Sequence, residues 1–169
     1  IRGGGGVGRV FEFTGAVTRA LSIDERTTLT NMTAELGGFT GIVAPDAETV
    51  RFLRERRGVA FELQPWMGSD EGAAYEATLT VDCTTLSPYV AAPGDPGRGQ
   101  PLASLAERPR IDIAYGGSCT AGKREDFEQY HAVLAWGLAH GRRVPEHVQL
   151  FLQYGTTAVR DWCVAQGWE

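Results

Sequence analysis

Cys119 is the residue of this chain best placed to do chemistry. It stands in Gly116-Gly117-Ser118-Cys119-Thr120-Ala121-Gly122, after the apolar run 111–115 and before a helical pattern over 123–140. A glycine-rich strand-to-helix turn gathers backbone N–H groups beside a helix N-terminus, and that setting favours a thiolate over a thiol. A thiolate attacks electrophiles or binds metal, whereas many free cysteines are simply small buried residues. The residue types alone leave all three roles open for Cys119. A nucleophile would need a base and an orienting group. The candidates are His131, His140 and His147, and the first two are about two and a half helical turns apart, too far to share one site. Cys83, Cys119 and Cys163 are widely spaced and contain no CxxC, so they form no local metal-ligand cluster.

Asn31 and Glu35 form the second candidate pair. They lie four residues apart on an expected helix, so both project from one face. Leu29, Met32 and Leu36 supply an apolar stripe, and Gly37-Gly38 leaves room for another backbone or a ligand to approach. The simpler alternative is an exposed polar face. Gly3, Gly5 and Gly8 spell G-x-G-x-x-G, but a dinucleotide fingerprint needs a strand before it and a helix after it. Here the strand follows, so the patch reads as a tightly turned backbone. Cys83, at a strand end, and Cys163, among Val159, Trp162 and Val164, read as core, as do Trp66, Trp136 and Trp162.

The elements that position these residues follow from periodicity and capping. Residues 10–14 alternate as a strand, 16–21 make a short helical turn, and Ser22-Ile-Asp-Glu25 is a capping box opening a helix to about Leu36. Residues 40–43 form a short buried strand. Pro45-Asp46 starts a helix with Val50, Phe52 and Leu53 inward, and 75–83 alternates as a further strand. Five prolines and three glycines between 86 and 110 indicate a crossing segment. Strand 111–115, helix 123–140, strand 148–153 and helix 156–166 follow, the alternation of a parallel α/β sheet, in which ligands bind beyond the carboxyl ends of the strands.

Composition narrows the function classes. At 169 residues, 43% apolar and 22% charged with a net charge of −5, the chain reads as a globular protein without a nucleic-acid or anionic-membrane partner. No apolar run approaches the roughly 20 residues of a membrane span. The N-terminal Ile1-Arg2-Gly3 carries neither a signal-peptide pattern nor an initiator methionine, suggesting a piece of something larger. Three sparse cysteines point to a reducing, cytoplasmic setting.

Several stretches together resemble the aconitase superfamily. Gly117-Ser118-Cys119-Thr120 with Glu125-Asp126 is similar to its G-S-C-T-N-x-x-x-E-D element. Glu12-Phe-Thr-Gly15, Leu21-Ser22 and Asn31-Met32-Thr33-Ala34-Glu35 resemble its E-F-x-G … L-S … N-M-x-x-E block. Ser69-Asp70-Glu71-Gly72-Ala73 looks like the 3-isopropylmalate dehydratase large subunit, and Leu152-Gln-Tyr-Gly-Thr156 with Val159-Arg160 sits at the family's next strand and helix.

The resemblance implies two adjoining three-layer α/β/α units with mainly parallel sheets. It places them at 1–85 and 107–169, joined by the Pro/Gly-rich 86–106. It implies an iron–sulfur hydro-lyase acting on a small hydroxy-carboxylic acid such as 3-isopropylmalate, working with a small subunit or swivelling domain. Cys119 would be one of three ligands to a 4Fe-4S cluster, and Asn31 and Glu35 would line the catalytic pocket. The other two ligands belong to a downstream CxxC that the chain does not contain, so the chain alone is expected to be inactive. Ala121 replaces the family's asparagine, suggesting a divergent branch. A non-catalytic remnant or interaction module of the same scaffold, and a hydrolase with Cys119 as nucleophile, remain the alternatives.

Overall fold

The computed structural model describes residues 5–168, and these divide into two compact units, one ending at Arg108 and one beginning at Pro109. Both are mixed α/β, with short parallel sheets.

The first unit opens with a tight glycine turn over residues 5–8, where Gly8 takes φ 76°. Gly5 and Gly8 of the apparent fingerprint thus serve a turn, and Gly3 lies outside the described residues. Strand β1 (Val10–Glu12) pairs in parallel with β2 (Thr40–Ile42) in the register Val10 to Thr40. Between them run α1 (Ala16–Ala20) and α2 (Ile23–Asn31). The capping box is formed: Glu25 N–H donates to Ser22 Oγ at 3.1 Å, and Ser22 N–H donates to Glu25 Oε2 at 2.8 Å. Helix α3 (Ala47–Arg57) starts at Asp46, whose carboxylate accepts from the N–H groups of Glu48 and Thr49, and ends at Gly58 in the left-handed region.

The core of α2 is not the expected apolar stripe. Met32 is 41% exposed, whereas Arg26 and Thr33 are buried and Thr30 is half-buried. These three positions, spaced four and three, lie on one helical face. Such a polar face is stable only if every group finds a partner. Arg26 makes a bidentate pair with Asp46 (2.8 Å for each bond) and donates to the carbonyls of Arg19 and Leu21 at 3.0 Å. Thr33 Oγ1 donates to the Thr30 carbonyl at 2.7 Å. One guanidinium therefore ties α1, α2 and the start of α3 together.

Further expectations fail in this unit: strand β2, expected to be buried, leaves Thr40 and Ile42 exposed. Residues 75–83 form no strand ladder; a short 3-10 turn, Cys83–Thr85, follows them. The alternation is real but serves side chains only: Tyr75, Ala77, Leu79, Val81 and Cys83 all line one cavity against α1 and α2. Trp66 is 76% exposed on a 3-10 turn, not in a core. Within the Pro/Gly-rich stretch, β3 (Tyr89–Ala91) and β4 (Gly99–Pro101) form an antiparallel hairpin that no periodicity foreshadows.

In the second unit, β5 (Ile113–Gly117) pairs in parallel with β6 (Gln149–Gln153), connected by the four-residue α4 (Ser118–Ala121) and by α5 (Arg124–Ala139). Helix α6 (Thr157–Ala165) follows, with Thr156 Oγ1 accepting from Val159 N–H. Phe127, Val159 and a fully buried Cys163 form the core, flanked by Tyr130, Leu152, Tyr154, Trp162 and Trp168. Cys163 is thus the core residue expected. Helices α5 and α6 cover the Gly116 and Leu152 face of the sheet, while Ile113, Tyr115 and Phe151 on the other face stay exposed. Among the described residues this unit has two layers, where three were expected. Trp136 lies on an uncovered side of α5, 55% exposed, and stacks on His140 instead of entering a core.

Replacing Asp46 with Asn leaves Arg26 without its anion. We expect a loss of about 2 kcal/mol, below the 3–5 typical of a fully buried pair because the Asp46 side chain is 33% exposed. The check is the urea midpoint of unfolding. The Arg26 guanidinium also lowers the Asp46 pKa below 3.8, so the stabilisation is present above that value and is lost as pH falls through the lower native one. Acid titration should therefore unfold wild type at a lower pH than the isosteric Asp46→Asn protein loses its remaining structure.

Candidate functional site

The thiol of Cys119 is exposed on α4, just beyond the carboxyl end of β5. Close backbone contacts shape the turn that carries it. Gly117 has φ 116° and ψ −137°, and any Cβ there would collide with the Gln153 carbonyl of the paired strand. Gly122 closes α4: its carbonyl accepts from Gly155 N–H at 2.8 Å, and a Cβ on Gly122 would stand 2.6 Å from that nitrogen. The turn after β5 and the turn after β6 therefore touch backbone to backbone. Ser118, at φ 69°, is the only non-glycine in the left-handed region among the described residues. Such a residue costs about 1–3 kcal/mol and persists only where its surroundings hold it. Ser118 Oγ and Thr120 Oγ1 lie 3.9 and 3.8 Å from Cys119 Sγ.

Helix α5 supports the turn with residues that the spacing on its first face could have revealed: Lys123, Phe127 and Tyr130. Lys123 Nζ donates to the Thr120 carbonyl and pairs with Asp126 at 2.9 Å. Lys123 N–H is capped by Asp126 Oδ2, also at 2.9 Å. Tyr130 donates to the Ala121 carbonyl at 3.0 Å, and burial, reinforced by the Asp126 charge, pushes its phenol pKa up.

The histidines are placed away from this turn. His147 precedes β6 and so belongs to the opposite, amino end of the parallel sheet from Cys119. His131 stacks on Trp168 at 4.2 Å, and His140 caps α5, its Nδ1 2.8 Å from the Trp136 carbonyl.

Asn31 and Glu35 belong to the first unit. Asn31 ends α2, and Glu35 lies in the 3-10 turn Met32–Leu36 that follows. Both are exposed. The change from 3.6 to 3.0 residues per turn between them removes the one-face argument drawn from a continuous α-helix. Gly37, at φ 83°, ends the turn, and the space beside Gly37-Gly38 is taken by Val7 and the Phe11 ring. The glycine pair therefore receives the chain's own residues.

A strand–turn–helix of this kind, with a thiol at the carboxyl end of a parallel sheet, defines an α/β scaffold carrying an exposed cysteine. The chain belongs to the aconitase family (aconitate hydratase), whose model matches residues 1–169. It is 29% identical, over 202 aligned positions, to the 3-isopropylmalate dehydratase large subunit of Roseiflexus castenholzii. It is 30% identical over the same length to the large subunit from Solibacter usitatus. Each alignment takes in 97% of this chain, and the chain spans about 42% of the length of these relatives.

The donor set can be tested against an iron–sulfur cluster. One exposed thiol on a backbone-defined turn fits one ligand position. Cys163 is sealed in the core, and no group of three or more His, Cys, Asp or Glu side chains among the described residues converges on a metal position. The turn thus suits one of several ligands.

Gly117→Ala should cost about 2 kcal/mol or more, since it combines a disfavoured backbone conformation with an overpacked strand contact. Thermal unfolding followed by circular dichroism reads the loss, and Gly58→Ala, whose Cβ would meet nothing within 4 Å, is the control for left-handed strain without a clash.

Proposed function

We propose that this chain is part of an iron–sulfur hydro-lyase that removes and re-adds water on a small hydroxy-carboxylic acid such as 3-isopropylmalate. The observation that carries the proposal is the exposed Cys119 thiol on the carboxyl-end turn, in a chain matched throughout by the aconitase family model. Cys119 would supply one of three thiolates to a 4Fe-4S cluster, the others coming from residues beyond this sequence. When bound, such a cluster supplies a Lewis-acidic iron to a substrate hydroxyl or carboxylate.

Each unit would contribute groups of its own to this chemistry. Ser118 and Thr120 place hydroxyls beside the sulfur, where they can donate to a thiolate and temper its basicity. Glu35 carries an exposed carboxylate able to take or give the proton that accompanies water. Asn31, exposed one turn earlier, can donate or accept a hydrogen bond at a substrate oxygen. The two relatives are named as large subunits, so a small subunit or swivelling domain is the partner we expect. The sparse cysteines suit a reducing cytoplasm, and no described helix is long and apolar enough to cross a membrane.

The nucleophile alternative loses ground on geometry. His147 is at the wrong end of the sheet, and His131 and His140 are engaged with aromatic rings farther along α5.

The test is anaerobic reconstitution of the product of the complete reading frame with iron and sulfide. Cys119→Ser should lower its iron content and visible absorbance. Glu35→Gln should retain the iron and lose about 10²–10⁴-fold in turnover of 3-isopropylmalate. Full iron content in Cys119→Ser would overturn the ligand assignment. The 169-residue chain alone should show no hydratase turnover, checked by the absorbance of the unsaturated product; turnover above background would refute the need for ligands from elsewhere.

A further inference from the structure

We propose that Tyr130 is the positioning residue for Cys119, and that Gly116 lacks a side chain so that Tyr130 can reach the turn. The role rests on the reading of Cys119 as a cluster ligand. Its evidence is the architecture of α4.

A helix of four residues cannot sustain itself. Nucleating one turn fixes several dihedrals for a single hydrogen bond, and its last carbonyls are left without intrahelical partners. Helix α4 carries the further strain of Ser118 at φ 69°. Both terminal carbonyls of α4 are instead met by side chains from the α5 N-cap and from α5: Thr120 by the Lys123 ammonium and Ala121 by the Tyr130 hydroxyl at 3.0 Å. The turn bearing the thiol is thus clamped from outside, by two donors spaced seven residues apart on one helical face.

Of the two donors, Tyr130 is the rigid one. Its ring packs edge-on against Phe127, with centroids 5.6 Å apart, and Phe127 is itself a core residue. On the strand side the ring lies against Gly116, where a Cβ would come within 3.0 Å of both Cζ and the hydroxyl oxygen. The phenol therefore lies tightly against Gly116, where an added methyl would make the ring shift by a few tenths of an ångström. Lys123 reaches its carbonyl on a flexible stem, so the orientation of α4 is set by Tyr130 and its sign of failure should be local.

Two variants test this from opposite sides. Tyr130→Phe removes the oxygen and keeps the ring; Gly116→Ala keeps the oxygen and displaces the ring. Amide hydrogen exchange on the 169-residue chain should show the Ser118–Gly122 amides exchanging about tenfold faster in both, roughly the loss of one hydrogen bond, with β1, β2 and α6 unchanged. Exchange at wild-type rates in both variants overturns the proposal. If Tyr130→Phe fails to fold, Gly116→Ala decides the result alone. In the reconstituted product of the complete reading frame, Tyr130→Phe should alter the electron paramagnetic resonance spectrum of the reduced cluster and speed its loss of iron. A wild type that loads iron beside a Tyr130→Phe protein with the same spectrum and retention refutes the positioning role alone. A wild type that takes up no iron refutes the ligand reading, and this role with it.

Discussion

The turn after β5 and the turn after β6 meet backbone to backbone, and the second unit is arranged around that meeting. Gly117, Gly122 and Gly155 bring main chain within hydrogen-bonding distance of main chain, with Gly155 N–H donating to the Gly122 carbonyl at 2.8 Å. No side chains intervene at this contact, and Cys119 stands exposed beside it at the carboxyl edge of the sheet. The ladder register and the carbonyl contact tie the turn to the sheet, and the side chains of Lys123 and Tyr130 hold its last carbonyls.

The first unit solves its cohesion differently. Its most buried groups include an arginine and two threonines, and a bidentate Arg26–Asp46 pair does the connecting that an apolar stripe usually does. Directional bonds suit a unit with a two-stranded sheet, because such a sheet offers little face against which to bury aliphatic side chains. The same bonds make Asp46 serve twice, as partner of Arg26 and as N-cap of α3, so one carboxylate aligns two helices.

Much of this was legible in the sequence. Strand–helix alternation beyond residue 110, the Ser22–Glu25 capping box, the Asp46 cap and the stop at Gly37 depend on local rules, and each forms as local rules dictate. The family was legible too, because motifs such as Gly117-Ser118-Cys119-Thr120 concentrate backbone requirements that few residue types meet. What local rules could not supply was partnership. Alternation over 75–83 specifies which side chains share a face, but a ladder also needs a neighbour, and only the face is realised. Trp66 and Trp136 are apolar enough for a core, yet their exposure depends on what stands opposite them. Asn31 and Glu35 keep their spacing but lose the shared face where α2 tightens into a 3-10 turn. Spacing places Tyr130 on the face of α5 with Phe127, but its hydrogen-bond partner is a backbone carbonyl, which no residue type marks.

The unladdered stretch 75–83 has a bearing on how such a chain behaves before it is fully assembled. A segment outside any ladder that exposes Leu79 and Val81 shares the hazard of an edge strand, which templates the pairing of other chains. Its flanks carry Asp70, Glu71 and Glu76 on one side and Asp82 on the other. Those charges bracket the uncharged Ala77–Val81 run as gatekeepers do, burdening any intermolecular stack with like-charge repulsion.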